Sequence, residues 1–300
     1  MRTLAVAAAF LLHIGGCATV DVRTAPRETP KVLPLNVVAA GDIAECSPLD
    51  LSNSNAARTA ALIEPSDLIV LTLGDNAYPD GTPTQFSDCF HPSWGRFKDR
   101  IRPSVGNHDY RTPGAAGYFD YFGDRAGPGR RGYYSFDVAG WHFISLNSNI
   151  DASVGSAQYA WLEDDLAASS TALCTLAYWH HPVFTSGPHG NNARMAGVFN
   201  LLHAAGTEIV LVGHDHVYER FAPQDAAGQS DPQRGVRSFT VGTGGARLYS
   251  FRAIRPNSEA RDDTTHGVLR LALESAGYRW AFVPAGGGPR RDEGAARCHR

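Results

Sequence analysis

Five short clusters carry the residue types that metal centres use: Gly41-Asp42, Gly74-Asp75, Gly106-Asn107-His108-Asp109, His180-His181-Pro182 and Gly213-His214-Asp215-His216. Carboxylates and an amide oxygen favour hard or borderline cations, and imidazole suits zinc, iron or manganese. A mixed oxygen and nitrogen set of this size exceeds what one tetrahedral ion takes. It points to two metals and to the hydrolytic chemistry that two metals support. Each cluster alone is weak, because a Gly-Asp pair is a common turn and a histidine at a strand end is commonly capped or solvated. The signal lies in the ordered series.

Each cluster closes a segment that reads as a strand: the apolar runs 35–40, 68–73, 172–179 and 208–212, and a short strand over 101–105. Near-continuous apolar character predicts strands buried on both faces. Between them, 53–63 reads as a helix capped by Asn53 with Pro65 past its end, and 158–168 and 193–204 read as further helices. Two antiparallel strands are predicted at 133–138 and 141–147, and β-rich segments at 238–242 and 268–283. The chain therefore reads as one α/β domain of two packed mixed sheets flanked by helices. Ligand sites in such sheets gather at the carboxyl ends of strands. Glycine ahead of four of the clusters is expected to let the backbone turn sharply there.

The composition excludes some functions. With 300 residues, 43% hydrophobic and 19% charged, the chain is ordinary for a globular protein. A net charge of −3 gives no positive field to attract nucleic acid or an anionic membrane. Arg111, Arg125, Arg130 and Arg131 in the Gly/Pro/Arg-rich stretch 111–132 either steer phosphorylated substrates or form a solvated face.

The amino-terminal stretch reads as an export signal. An apolar run over 4–14 is too short to span a bilayer and has the size of a signal-peptide core. It ends in Ile14-Gly15-Gly16-Cys17, which resembles a bacterial lipobox. This predicts a signal peptide over 1–16, membrane attachment through lipidated Cys17 and a flexible tether over 17–34. The other reading is a secretory peptide cut elsewhere. Four cysteines remain, allowing three pairings. Cys46 and Cys89 follow the first two clusters, so Cys46–Cys89 with Cys174–Cys298 is preferred over free thiols. The Gly/Arg-rich tail, 286–300, is expected to be loose unless Cys298 staples it.

The series Gly41-Asp42, Gly74-Asp75-Asn76-Ala77-Tyr78, Gly106-Asn107-His108-Asp109, His180 and Gly213-His214-Asp215-His216 resembles the signature of calcineurin-like metallophosphoesterases. Tyr78, three residues after the second aspartate, and Tyr218-Glu219-Arg220 resemble the purple acid phosphatase branch. The resemblance covers roughly 35–283 and looks like the short, single-domain bacterial form, a four-layer sandwich over 35–285. It implies that one metal takes Asp42, Tyr78 and His216, that the other takes Asn107, His180 and His214, and that Asp75 bridges them. A phenolate favours Fe(III), so the implied pair is Fe(III) with Zn, Mn or Fe(II). The other reading of Tyr78 is a packed loop aromatic. Ala44 and Ala177 depart from the family's usual glycine and valine. His180 is the implied ligand because it stands two residues before Pro182. His181, its neighbour on a strand, is expected to point the other way.

By the same resemblance the activity is hydrolysis of a small phosphate monoester by a metal-bound hydroxide. His108 is the candidate proton donor, with Asp109 hydrogen-bonding it, and His189 a candidate pocket residue. A phosphodiesterase or nucleotide pyrophosphatase on the same centre is the alternative. A non-catalytic surface metal-binding lipoprotein is the remote one.

Overall fold

The computed structural model describes residues 33–46 and 53–299; the expected signal peptide, Cys17 and all but the last two tether residues lie outside them. The chain opens with strand β1 (Leu35–Ala40), followed by the short β2 (Ala44–Glu45), helix α1 (Asn55–Ala60), β3 (Ile69–Leu73), the short β4 (Ala77–Tyr78) and a one-turn helix α2 (Pro83–Gln85). Then come β5 (Ile101–Ser104), α3 (Ala116–Phe122), the hairpin β6 (Tyr134–Val138) and β7 (Trp141–Ser145), α4 (Ala157–Ala168), β8 (Cys174–Tyr178), α5 (Ala196–Ala204) and β9 (Ile209–Val212). The remaining elements are all strands: β10 (Tyr218–Phe221), β11 (Arg237–Val241), β12 (Ser258–Asp262), β13 (Gly267–Glu274), β14 (Gly277–Pro284) and β15 (Asp292–Arg297).

Two mixed sheets result. The first runs β15-β14-β13-β1-β3-β5 and the second β12-β10-β11-β9-β8-β7-β6. In the first, β1, β3 and β5 are parallel neighbours; in the second, β7, β8, β9 and β11 are. Five of these strands, β1, β3, β5, β8 and β9, run into the chemical clusters, and every residue of β3 and β9 is buried, as the unbroken apolar runs require. The sheets face each other across Tyr218 stacked on Phe282 and the edge-on contacts of Phe239 with Trp280 and Trp141 with Tyr278. Tyr159 and Leu162 of α4 and Val198, Phe199 and Leu202 of α5 pack with Ile144, Ala177 and Val210, covering the outer face of the second sheet. On the first sheet's side, α1 buries Ala56 and Ala60, and Trp94 donates its indole N–H to Thr59. The order is helix, sheet, sheet, helix, the four-layer α/β sandwich expected. No helix among the described residues is long and apolar enough to cross a membrane.

Three local readings are decided by the structure. The first helix is capped by Ser54, whose side chain accepts from Ala57 N, and not by Asn53. The segment 268–283 is a hairpin, β13 and β14. The tail is not loose: Asp292–Arg297 forms β15 against β14. Its ordering has two causes. Cys298 bonds Cys174 (Cα–Cα 5.8 Å). Asp292 also accepts from the Tyr218 hydroxyl at 2.7 Å, from Arg220 Nε at 2.7 Å and from the Trp280 indole at 3.2 Å. Cys46 pairs with Cys89 (Cα–Cα 5.4 Å), the preferred connectivity.

His142 on β7 carries a pH dependence. Its Nδ1 lies 2.7 Å from Asp137 and its Nε2 2.9 Å from Asp165 of α4. Carboxylates only accept, so both ring nitrogens donate and the ring is an imidazolium. Burial opposes that charge, but the bonds to Asp165 and Asp137 outweigh it and raise the pKa. A histidine whose pKa is raised by folding stabilises fully below its unfolded value and loses that contribution as pH rises through the folded one. His142→Gln should therefore lower stability by about 1 kcal/mol at pH 5.5. The deficit should shrink as pH rises above about 6.5. Urea denaturation of both proteins at pH 5.5 and pH 9 checks this; a deficit equal at both pH values contradicts it.

Candidate metal centre

The first two clusters are zipped together by the backbone. Asp42 N donates to Gly74 O, Ile43 N to Asp75 O and Ala44 N to Asn76 O. β2 and β4 continue the pairing, with Glu45 opposite Tyr78, and the Cys46–Cys89 bond closes its far end. Tyr78 is thereby carried back over Asp42 and Asp75.

The turns are made differently from the expectation. Asp42 (φ 58°), Asp75 (φ 49°) and His214 (φ 71°) themselves occupy the left-handed region, which costs a side-chain-bearing residue energy. Of the four preceding glycines, only Gly74 has positive φ. The others give room. A Cβ on Gly106 would lie 2.1 Å from Asp75 Oδ1, and one on Gly213 2.6 Å from Asp42 Oδ2. Glycine lets the next loop's carboxylate approach the backbone.

The seven candidate ligands converge in two groups that share one residue. The Tyr78 hydroxyl lies 2.8 Å from Asp42 Oδ1, 3.1 Å from His216 Nε2 and 3.0 Å from Asp75 Oδ2. His180 Nε2 lies 3.0 Å from Asn107 Oδ1, 3.3 Å from His214 Nδ1 and 3.3 Å from Asp75 Oδ2. Asp75 thus faces both groups. His180 donates Nδ1–H to Leu73 O at 2.8 Å, and His216 donates Nδ1–H to Arg247 O at 2.7 Å. With Nδ1–H anchored on a backbone carbonyl, each ring aims Nε2 at the carboxylates, the nitrogen that a cation would take in exchange for its proton, as metal-ligating histidines are commonly oriented.

The electrostatics ask for cations. Asp42, Asp75 and His180 are buried. Burial, then Asp42 and Asp75, push the Tyr78 phenol well above its usual pKa. Burial disfavours charge on His180, but Asp75 overrides it and lifts the imidazole to about 9. Burial, then His180, push His181 down to about 3. Without metals the site holds its carboxylates with borrowed protons; two cations fit the same donor set.

His181 does not point away. Its ring centroid is 4.4 Å from that of His214, and one ligand atom each of His180, His181 and His214 lie within 4.8 Å of one another. Strand alternation fails because β8 ends at Tyr178, two residues before His180. His181 Nδ1 is engaged by the Ser148 hydroxyl at 2.8 Å.

His108 and Asp109 separate in role. His108 donates Nδ1–H to Pro79 O at 2.6 Å, and its Nε2 faces Asp75 at 4.0 Å. No bond joins it to Asp109. That carboxylate is buried and accepts from Gly106 N at 2.9 Å, Asn76 Nδ2 at 3.0 Å and Asn76 N at 3.2 Å. Burial, then Asp75, raise its pKa to about 7. Asp109 is a tie between the second and third clusters and not the partner of His108. His189 is exposed, with its ring 4.2 Å from that of His214.

A cleft of about 570 Å³ opens beside Tyr78, His108 and His216 and is also lined by Glu45, Arg247 and Tyr249. Tyr249 stacks flat on His216 (4.0 Å, 9°). No motif or spacing in the sequence marks Tyr249. None of the four arginines of 111–132 lines this cleft. Arg111 pairs with Asp80, Arg125 with Asp99 and Arg130 with Asp120, while Arg131 lies over Tyr133. The Tyr218-Glu219-Arg220 motif is structural: Glu219 holds the backbone and hydroxyl of Ser186, and Arg220 holds Asp292.

Known proteins resemble this chain. Residues 35–218 match the family model for calcineurin-like phosphoesterases. Purple acid phosphatase 15 of Arabidopsis thaliana is 28% identical over 234 residues, covering 66% of this chain and 43% of that protein. Purple acid phosphatase 22 of the same plant is 35% identical over 161 residues, covering 50% and 36%. The chain thus spans about half or less of these curated relatives. Among solved structures, the purple acid phosphatase PPD1 of yellow lupin (Lupinus luteus) superposes with a TM-score of 0.69 at 19% identity, covering 87% of this chain and 53% of that one. GAP50, the anchor in the inner membrane complex of Plasmodium, also gives 0.69, at 14% identity with 90% of both chains covered. At such identities these likenesses speak for the fold. With the matched family model spanning more than half its length, the chain belongs to the calcineurin-like phosphoesterase family and is purple acid phosphatase-like within it.

Proposed function

We propose that this chain hydrolyses phosphate monoesters at a dinuclear centre held by Asp42, Tyr78 and His216 on one side and Asn107, His180 and His214 on the other, with Asp75 shared. The observation that carries this reading is the anchoring of His180 and His216 by Nδ1–H on backbone carbonyls, which aims both Nε2 atoms at buried carboxylates. Two cations there supply neutralisation of the phosphoryl oxygens and a water acidic enough to attack phosphorus. Tyr78 bears on which cations: its raised pKa means that only a strongly acidic ion displaces the phenol proton, and Fe(III) paired with Zn, Mn or Fe(II) fits that demand.

The chain's own groups do the rest. His108, fixed by Pro79 O at Nδ1, presents Nε2 to the cleft, where it gives a proton to the departing oxygen. Tyr249 holds the His216 ring in plane and gives the leaving group an apolar wall.

The test is steady-state hydrolysis of an aryl phosphate monoester beside the matching diester, with His216→Ala as control. Monoester turnover that disappears in the variant is expected. Diester preference would move the chain to the phosphodiesterase reading. Absence of both activities in metal-loaded protein would leave a binding protein.

Export and lipid attachment at Cys17 complete the reading, supported by the two disulfides, which belong to an oxidising compartment. Cys17→Ser should move the protein from the membrane to the soluble fraction. Unchanged membrane retention would remove the anchor.

A further inference from the structure

Asp215 stands between His214 and His216, and its side chain turns away from them. It is fully buried, so its charge requires satisfied oxygens. All its side-chain partners come from one loop between β8 and α5. Oδ2 accepts from the Thr185 hydroxyl at 2.7 Å. Oδ1 accepts from His189 N at 3.1 Å and His189 Nδ1 at 2.8 Å. The loop is fitted to the carboxylate: Gly187 N donates to the Thr185 hydroxyl at 2.9 Å, and a Cβ on Gly187 would lie 2.3 Å from Asp215 Cγ. Glu219 holds the same loop from its other side, accepting from Ser186 N at 2.8 Å.

We infer that Asp215 is a positioning residue that aims His189 at the substrate of the neighbouring centre. This rests on the phosphoesterase reading above and adds the group that orients His189. Because a carboxylate only accepts, the Nδ1 contact requires Nδ1–H, and Nε2 is the ring atom left to meet a phosphoryl oxygen. The orientation is also fixed in space, with the ring tilted 32° over His214 at 4.2 Å and 5.5 Å from Tyr249. His108 lies on the opposite flank, its ring 4.3 Å from that of Tyr78. The two histidines therefore border the ligand set on both sides. Loop closure alone does not account for the Nδ1 bond. Thr185 and the His189 backbone already satisfy both oxygens, and a bond to a 43%-exposed ring adds little to stability.

The test is a double-mutant cycle on the metal-loaded enzyme with an aryl phosphate monoester. His189→Ala and Asp215→Ala should each raise KM about tenfold with a smaller change in kcat, and the double variant should be no worse than either. Asp215→Asn keeps an acceptor for Nδ1–H and should return KM to within about twofold of wild type. If Asp215→Ala does not fold, Asp215→Ser carries the same cycle. Additive effects, or loss of bound metal in the Asp215 variant at unchanged His189 dependence, would overturn the positioning role. A wild-type protein inactive on every phosphoester would overturn the phosphoesterase reading and this inference together, whereas an active wild type with an additive cycle overturns only this one.

Discussion

Asp75→Asn protein should fold normally and lose about 10³-fold or more in kcat/KM on a phosphate monoester, roughly 4 kcal/mol of transition-state stabilisation. Asparagine keeps the volume of Asp75 and one oxygen, which can still accept from His108 N, now at 2.7 Å from Oδ1. What it removes is the negative charge and the second oxygen, Oδ2, which faces both the Tyr78 hydroxyl at 3.0 Å and His180 Nε2 at 3.3 Å. Because Oδ2 meets a member of each group, one metal should be lost or weakly held. Thermal stability of the metal-free protein should fall at neutral pH, because Asp75 is the charge that offsets the buried His180 imidazolium, whereas metal-loaded protein tests the centre itself. Metal analysis beside kinetics checks this. Near-wild-type turnover with two metals retained would mean that Asp75 is not the shared ligand.

The second large effect is on stability. Replacing Cys174 and Cys298 together by alanine should cost about 3–5 kcal/mol, because their bond closes a loop of sequence separation 124. β15 then depends on its backbone pairing with β14 and on Asp292. Catalysis in mild conditions should survive, since Cys174 opens β8 and His180 lies beyond its other end. Chemical denaturation of the oxidised wild type and the double variant reads the difference. Coincident transitions would show that Asp292 and strand pairing alone hold the last strand.

Most of the strand-end candidate ligands were legible because they are announced twice, by an apolar run and by a ligand-type residue at its close; Asn107 lacks the first signal, since 101–105 reads Ile-Arg-Pro-Ser-Val. The sandwich was legible for the same reason, since β3 and β9 are unbroken apolar runs. Other features leave weaker marks. β15 reads Asp-Glu-Gly-Ala-Ala-Arg and contains no β-branched or aromatic residue. It is a strand because β14 offers it a partner, not because its side chains prefer one. Asp109 was expected to serve its neighbour His108, but loop side chains diverge, and its oxygens go to Asn76 and Gly106 instead. His181 was expected to face away by strand alternation, which no longer applies once β8 has ended. Tyr249 reaches His216 from another loop, a juxtaposition that no local pattern encodes.

β1 lies between β3, its near neighbour in sequence, and β13, which joins it with Leu35 opposite Leu273. On a ribosome the first of these pairings is available early and the second only when nearly all of the chain has been made. Asp42 follows β1 directly, so the ligand that appears first along the polypeptide sits in a sheet completed among the last. A chain arranged this way has little incentive to finish folding while it is being synthesised, because its long-range pairings repay their loop-closure entropy only at the end. The sheet that places Asp42 therefore takes its final form only after β13 has been made.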